Sequence, residues 1–82
     1  MVSVVRIPSQ MGAAIRRQRK LKGLSQTQLS EKTNLRQATI SELEGGKGGI
    51  QLKTLTDVLA ALDLELVVQS RSKAAVEIED LF

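Results

Sequence analysis

The sequence predicts a mainly α-helical domain of four helices, with the second and third forming a helix-turn-helix. One short β-strand follows, paired across a dimer. Three observations carry this. The stretch LSQTQLSEKTNLRQATISELEGGK, Leu24 to Lys47, holds two short helical patterns joined by a tight turn. Apolar residues recur at helical spacing on both sides of it. The only aromatic is Phe82, at the last position, so the core must be built from Leu, Ile, Val and Ala. An aliphatic core of this kind suits packed helices better than a sandwich.

The elements follow in order. Val2 to Ile7 is a β-branched stretch stopped by Pro8, read as a small strand or a loose arm over residues 1–8. Ser9 is the expected N-cap of the first helix, which ends at Gly23. Ser25 caps the second helix, and Gln28 three residues on completes a capping box. Leu24 and Leu29 are placed for a hydrophobic staple across that helix start. The helix runs to Lys32 or Thr33, and Asn34 takes the left-handed turn. The third helix covers Gln37 to Glu44, with Ala38, Ile40 and Leu43 inward, and Gly45-Gly46 stops it. The fourth spans Leu52 to Leu62 with an i, i+3, i+4, i+7 stripe of Leu55, Val58, Leu59 and Leu62. Leu64–Gln69 alternates and is rich in β-branched residues, hence the strand. A lone strand is unstable, so Leu64, Leu66, Val67 and Val68 are expected at a dimer seam. Residues 9–69 thus form one DNA-binding and dimerisation domain, and residues 70–82 a flexible, polar tail.

Composition narrows the function. A chain of 82 residues makes one domain with a modest core. Cys and His are both absent, which excludes disulfides and a Cys–His metal site; no cofactor is expected. Residues 1–50 carry nine Lys/Arg against three Asp/Glu, whereas residues 51–82 carry three against six. A basic front and an acidic rear imply two surfaces with different partners. No apolar run spans a bilayer and no secretory leader is legible, so the expectation is a cytoplasmic protein without a membrane partner. The GGKGG run neither follows a predicted strand nor has phosphate-loop spacing, and the carboxylates are scattered. An enzyme is not expected.

The chemistry of the helix-turn-helix points to double-stranded DNA. The second helix of such a unit lies in the major groove with its first turn at the base edges. Here that turn is Arg36, Gln37, Ala38 and Thr39, with Ser41 one turn on. Gln bonds adenine bidentately, Arg bonds guanine, and Ala or a Thr methyl meets the thymine methyl. Ser25 and Gln26 open the preceding helix, whose N–H groups suit a phosphate. Lys47, in the glycine-rich loop, reaches another phosphate, and such contacts position without reading sequence.

Arg16, Arg19, Gly23-Leu24-Ser25-Gln26, Leu29, Ala38-Thr39-Ile40-Ser41 and Leu43-Glu44-Gly45 resemble the phage-repressor (XRE/Cro-type) helix-turn-helix family. The match covers Met11 to Leu64 in order and spacing, and it implies a lambda-repressor-like domain. The resemblance also implies a structural pair between Arg19 of the first helix and Glu44 at the end of the third. One position departs: Arg36 stands where the family has a capping Ser or Thr, and Arg cannot accept the cap bond. RQATIS, then LDLELVV and a short polar tail, resemble the HipB-type antitoxins of bacterial toxin–antitoxin operons. That resemblance implies base reading by Arg36, Gln37, Ala38 and Ser41, with Ser25, Gln26, Thr39 and Lys47 as phosphate or supporting contacts. It implies a homodimer on a palindromic operator, autorepression, and a HipA-type Ser/Thr kinase toxin as partner. The closing Glu79-Asp80-Leu81-Phe82 resembles family tails that dock on the toxin through Leu81 and Phe82.

Two other readings stand beside this one. A stand-alone phage-type or chromosomal repressor would use the same DNA face without a toxin. A protein-binding module that has lost DNA activity would show acids on the third helix, and Glu42 is the only one in its first two turns. If residues 70–82 are a loose tail, limited trypsin digestion of the free protein cuts at Arg71 and Lys73 before any site within residues 9–69. Earlier cleavage inside 9–69, read by mass spectrometry, would refute that boundary.

Overall fold

The structure, a computed structural model, describes residues 2–71. It contains four helices: α1 (Pro8–Leu21), α2 (Gln26–Thr33), α3 (Gln37–Glu44) and α4 (Leu52–Ala61). Of the tail expected over residues 70–82, residues 72–82, with Leu81 and Phe82, lie outside the described residues.

The start of α1 differs from the sequence expectation. Pro8 is the first helical residue and Ile7 the cap, so Ser9 lies inside the helix and caps nothing. The reason is backbone chemistry. Proline's fixed φ suits the first helical position, and it has no N–H to leave unpaired there. The N–H groups of Arg6 and Ile7 are taken instead by Gln10 Oε1, at 2.6 and 3.3 Å. At α2 the capping box forms as its spacing predicts. Ser25 Oγ accepts the Gln28 N–H at 3.0 Å, and Gln28 Oε1 accepts the Ser25 N–H at 2.8 Å.

All four helices end by one device. A residue with positive φ follows each of them: Gly23, Asn34, Gly46 and Asp63. The next residue then donates its N–H five residues back: Leu24 to Arg19, Leu35 to Ser30, Lys47 to Glu42, Leu64 to Leu59. This is the Schellman closure, which satisfies carbonyls the helix leaves open. At three of the four ends the donor is a leucine, and Leu24, Leu35 and Leu64 all pack against the core. Each of these three turns therefore also aims an apolar side chain inward.

The core is aliphatic throughout. Ile15, Leu29, Ile40, Leu43, Val58, Leu59 and Leu62 are buried and contributed by all four helices and the α4 terminus. Ala38, read as inward, is exposed instead. Ile40 and Leu43 fix the inner face of α3, and position 38 falls on the other side of the helix. Residues 64–69, read as a strand, form no regular structure within the single chain. A strand exists only when paired, and among the described residues no second strand pairs with this segment.

Gly12 sets how α1 meets α3. It shares the inner stripe of α1 with Ile15 and Arg19. A Cβ there would lie 2.5 Å from the carbonyl oxygens of both Leu43 and Glu44. Backbone cannot yield as a flexible side chain can, so only glycine lets the two helices approach this closely. Gly12→Ala gains helix propensity of about 0.5–1 kcal/mol but meets a clash of about 1–3 kcal/mol. The expected result is a net loss, read as a melting temperature several degrees lower. Gly48→Ala, where a Cβ meets nothing within 4 Å, serves as the control and leaves the melting curve in place.

Candidate nucleic-acid interface

The turn between α2 and α3 is three residues long, Asn34 to Arg36. Asn34 takes φ 57° and ψ 34°, reversing the chain so that α3 crosses beneath α2. Burial of Leu29 on one helix and of Ile40 and Leu43 on the other locks the pair through the core. With its inner face so fixed, α3 turns Gln37, Ala38 and Ser41 to solvent, next to the exposed Arg36 at its cap; Thr39 is half-buried. Arg36 makes no side-chain cap bond, and the Thr39 N–H donates to the Arg36 carbonyl at 3.0 Å instead. Among the described residues Arg36 has no ion-pair partner.

A chain of polar contacts runs from the core to this face. Arg19 Nε donates to Glu44 Oε2 at 2.7 Å, and Arg19 Nη2 donates to Glu44 Oε1 at 3.0 Å. Arg19 Nη1 donates to the Leu24 carbonyl at 2.7 Å. Glu44 Oε1 also accepts Gln26 Nε2 at 3.2 Å, and Gln26 Oε1 accepts Gln37 Nε2 at 3.5 Å. The Glu44 carboxylate raises the Arg19 pKa above its ordinary value, chiefly through the hydrogen bond, against the opposing effect of burial. Gln26 is thus the link between the buried pair and the outward Gln37. Sequence reasoning assigned Gln26 to a phosphate and missed this bridge. A signal was present, since the first residue of each helix in the unit is Gln.

The other singled-out residues fall as follows. Ser25 is exposed, with its hydroxyl engaged in the cap of α2. Lys47 is 64% exposed on its side chain and pairs with Glu42 Oε1 at 3.3 Å. Leu64 is half-buried against the core, whereas Leu66, Val67 and Val68 are exposed. On the far side, Lys22 pairs with Asp63, and Gln18 Nε2 donates to the Leu62 carbonyl at 3.1 Å, tying α1 to the end of α4. The Lys22 ammonium holds the Asp63 carboxyl below its ordinary pKa. Among the described residues no three His, Cys, Asp or Glu side chains gather as a metal site, and no helix is long and apolar enough to cross a membrane.

The comparisons agree with this geometry. Residues 15–69 match the helix-turn-helix family model HTH_3. The chain belongs to the XRE-type helix-turn-helix family. It is 31% identical over 77 residues to antitoxin HipB of Escherichia coli O6:H1 strain CFT073, covering 90% of this chain and 82% of that one. Among solved structures, a HipB variant in complex with an O2 20-mer superposes with a TM-score of 0.80 at 26% identity, covering 88% of this chain and all of that one. HipB in a HipA–HipB–O2–O3 complex gives 0.78 at 27% identity, covering 87% of this chain and all of that one. Within the family, the chain is HipB-like over nearly its whole described length.

Removing one partner of the buried pair leaves the other charge uncompensated. Glu44→Ala is therefore expected to cost about 3–5 kcal/mol, a large part of a small domain's stability. Urea unfolding would reveal it as a lower midpoint. Glu42→Ala, which breaks only the exposed pair with Lys47, is expected to change stability by under about 1 kcal/mol.

Proposed function

We propose that this protein is a homodimeric, sequence-specific repressor that binds its own operator and serves as antitoxin to a HipA-type Ser/Thr kinase. The observation that carries the DNA reading is the outer face of α3. It presents neutral polar and small residues beside an arginine that has no ion-pair partner among the described residues, and its first residue is held through Gln26 to the buried Arg19–Glu44 pair. A side chain held in place before binding loses less freedom when it meets a base edge.

The roles divide by chemistry. Arg36, Gln37, Ala38 and Ser41 meet base edges in the major groove. Ser25, Gln26 and Thr39 support the docking turn, and Lys47 meets a phosphate. The Lys47–Glu42 pair is exposed, so giving it up to reach that phosphate costs little. Two copies joined through Leu64, Leu66, Val67 and Val68 carry two α3 helices to the half-sites of a palindrome, spaced by about 34–36 Å or a multiple of it. Bound there, the dimer occludes polymerase and represses its operon from the cytoplasm. The kinase reading rests on likeness to antitoxin HipB and to HipB in its complex with HipA and operator DNA. A toxin that bridges two dimers would tighten operator binding through effective concentration.

Fluorescence anisotropy on promoter and scrambled duplexes, at one salt concentration near physiological, tests the DNA half. Gln37→Ala is expected to lose about 1–3 kcal/mol on the promoter alone, and Lys47→Ala to weaken both duplexes alike with a shallower salt dependence. No promoter preference by the wild type would sink the repressor reading. For the toxin half, a HipA-type kinase co-expressed with the chain is expected to copurify with it. Recovery of the kinase alone would remove the antitoxin role while leaving DNA binding intact.

A further inference from the structure

Residues 1–30 carry six Lys/Arg and no Asp/Glu, and five of the six cations stand between Arg16 and Lys22. Three of those five are engaged: Arg19 with Glu44, Lys22 with Asp63, and Arg17 with Ser3 Oγ at 3.3 Å. Arg16 and Lys20 are exposed and have no ion-pair partner among the described residues. They stand four residues apart on one helix, a spacing at which like charges repel and weaken the helix. The fold pairs Lys22, Lys47 and Lys53 with acids but leaves these two open. Their charge calls for an anion from outside the chain.

The faces of α1 say where that anion lies. Gly12, Ile15 and Arg19 form the buried stripe. One residue back, Met11, Ala14 and Gln18 turn toward α4. Gln18 Nε2 donates to the Leu62 carbonyl, and Met11 and Ala14 share a groove with Leu59. One residue on, about 100° round the helix the other way, Ser9, Ala13, Arg16 and Lys20 form a wholly exposed line. Its first end abuts the loop after α3, because a Cβ on Gly46 would lie 2.8 Å from Ser9 Cα, and Lys47 follows in that loop. Its other end reaches the entry to α2. Arg19, beside Lys20, donates to the Leu24 carbonyl at 2.7 Å, and Ser25 follows. The line thus joins the two places read above as meeting the DNA backbone, Lys47 and the start of α2.

We propose that Arg16 and Lys20 are a further phosphate-binding site, a basic edge of α1 that holds the DNA backbone alongside the helix-turn-helix. This rests on the DNA reading above and extends it to a helix which that reading left out. Phosphate is favoured over an acidic protein surface because the edge is continuous with the nucleic-acid face at both ends. Ser9 and Ala13, the other members of the line, are small and leave room for the duplex. Arg16 and Lys20 lie about 6 Å apart along the axis, so they meet separate phosphates, which rise by about 3.4 Å each along a strand. Contacts of this kind add affinity without sequence preference.

A charge-matched pair of double variants tests this. Arg16→Gln/Lys20→Gln removes the edge, whereas Lys22→Gln/Lys53→Gln removes the same charge from the side tied to α4. Gln keeps helix propensity, and coincident melting curves check that each variant folds. Fluorescence anisotropy is read on promoter and scrambled duplexes over a salt series. The edge variant is expected to bind both duplexes about tenfold or more weakly near physiological salt, and to flatten the slope of log K against log salt by about 2. Arg16→Gln and Lys20→Gln alone are each expected to flatten it by about 1. The control pair is expected to keep the wild-type slope. A slope that the edge variant leaves unchanged, or that the control flattens as much, overturns the α1 site and leaves the DNA reading standing. Weakening on the promoter alone overturns it too, since phosphates carry no sequence. A wild type that binds neither duplex overturns both.

Discussion

The buried pair of Arg19 and Glu44 is the interaction on which the arrangement of the helices depends. An aliphatic core holds its elements together without directing them, because burial of apolar surface is non-directional. Ile15, Leu29, Ile40 and Val58 are fully buried, but none of them fixes the rotation of α1 on α3. The ion pair does. Its two parallel bonds need the guanidinium and carboxylate in one plane, and the third donor of Arg19 needs the Leu24 carbonyl at the entry to α2. Taking both charges out of water costs several kcal/mol per ion, and only full satisfaction offsets this. That condition is met: among the described residues no buried side-chain nitrogen or oxygen lacks a partner.

Close packing makes the pair reachable. Arg19 lies seven residues, about two turns, beyond Gly12 on the same stripe of α1. Where Gly12 touches the Leu43 and Glu44 carbonyls, the helix backbones come as near as their atoms allow. Gly46 repeats the theme one turn on. Its φ of 83° admits glycine readily, and a Cβ there would lie 2.8 Å from Ser9 Cα. The end of α3 is therefore clamped by the start of α1 on its backbone and by Arg19 on its side chain. Two glycines and one ion pair define that junction.

Most of the fold was legible because its signals are local. The capping box of α2, the left-handed Asn34 and the stop after Glu44 depend on residues within one turn of one another. The stripe on α4 needs only periodicity. What escaped was set by contacts distant in sequence. Gly12 carries no local mark beyond being a glycine inside a helical pattern, and its role comes from carbonyls over thirty residues away. Asp63 gave no cue for a positive φ; its pairing with Lys22 spans 41 residues. Ser9 looked like a cap because hydroxyls favour that place, but Pro8 moved the helix start and Gln10 supplied the bonds. On the outer face of α3, residue types suggested which side chains turn outward. The link from Gln26 to Gln37 was not available from type alone, since it requires knowing that the first turns of α2 and α3 meet.

That link binds the outer face of α3 to the core through a single oxygen. Glu44 Oε1 accepts from Arg19 and from Gln26 at once. A carboxylate oxygen has two lone-pair sites, so it serves both without competition. The last bond in the chain, from Gln37 to Gln26, is the weakest by geometry. At 3.5 Å it sits at the outer edge of hydrogen-bond range, while the bonds nearer the core are 2.7–3.2 Å. The gradient has a physical consequence. The inner bonds fix where Gln26 stands, and the outer one orients the Gln37 amide at little cost if that bond is surrendered. In the proposed repressor, Gln37 donates and accepts at an adenine edge, and for that it must release what holds it. Strong anchoring at Glu44 and weak anchoring at Gln37 give that side chain a set position without committing its hydrogen-bonding groups.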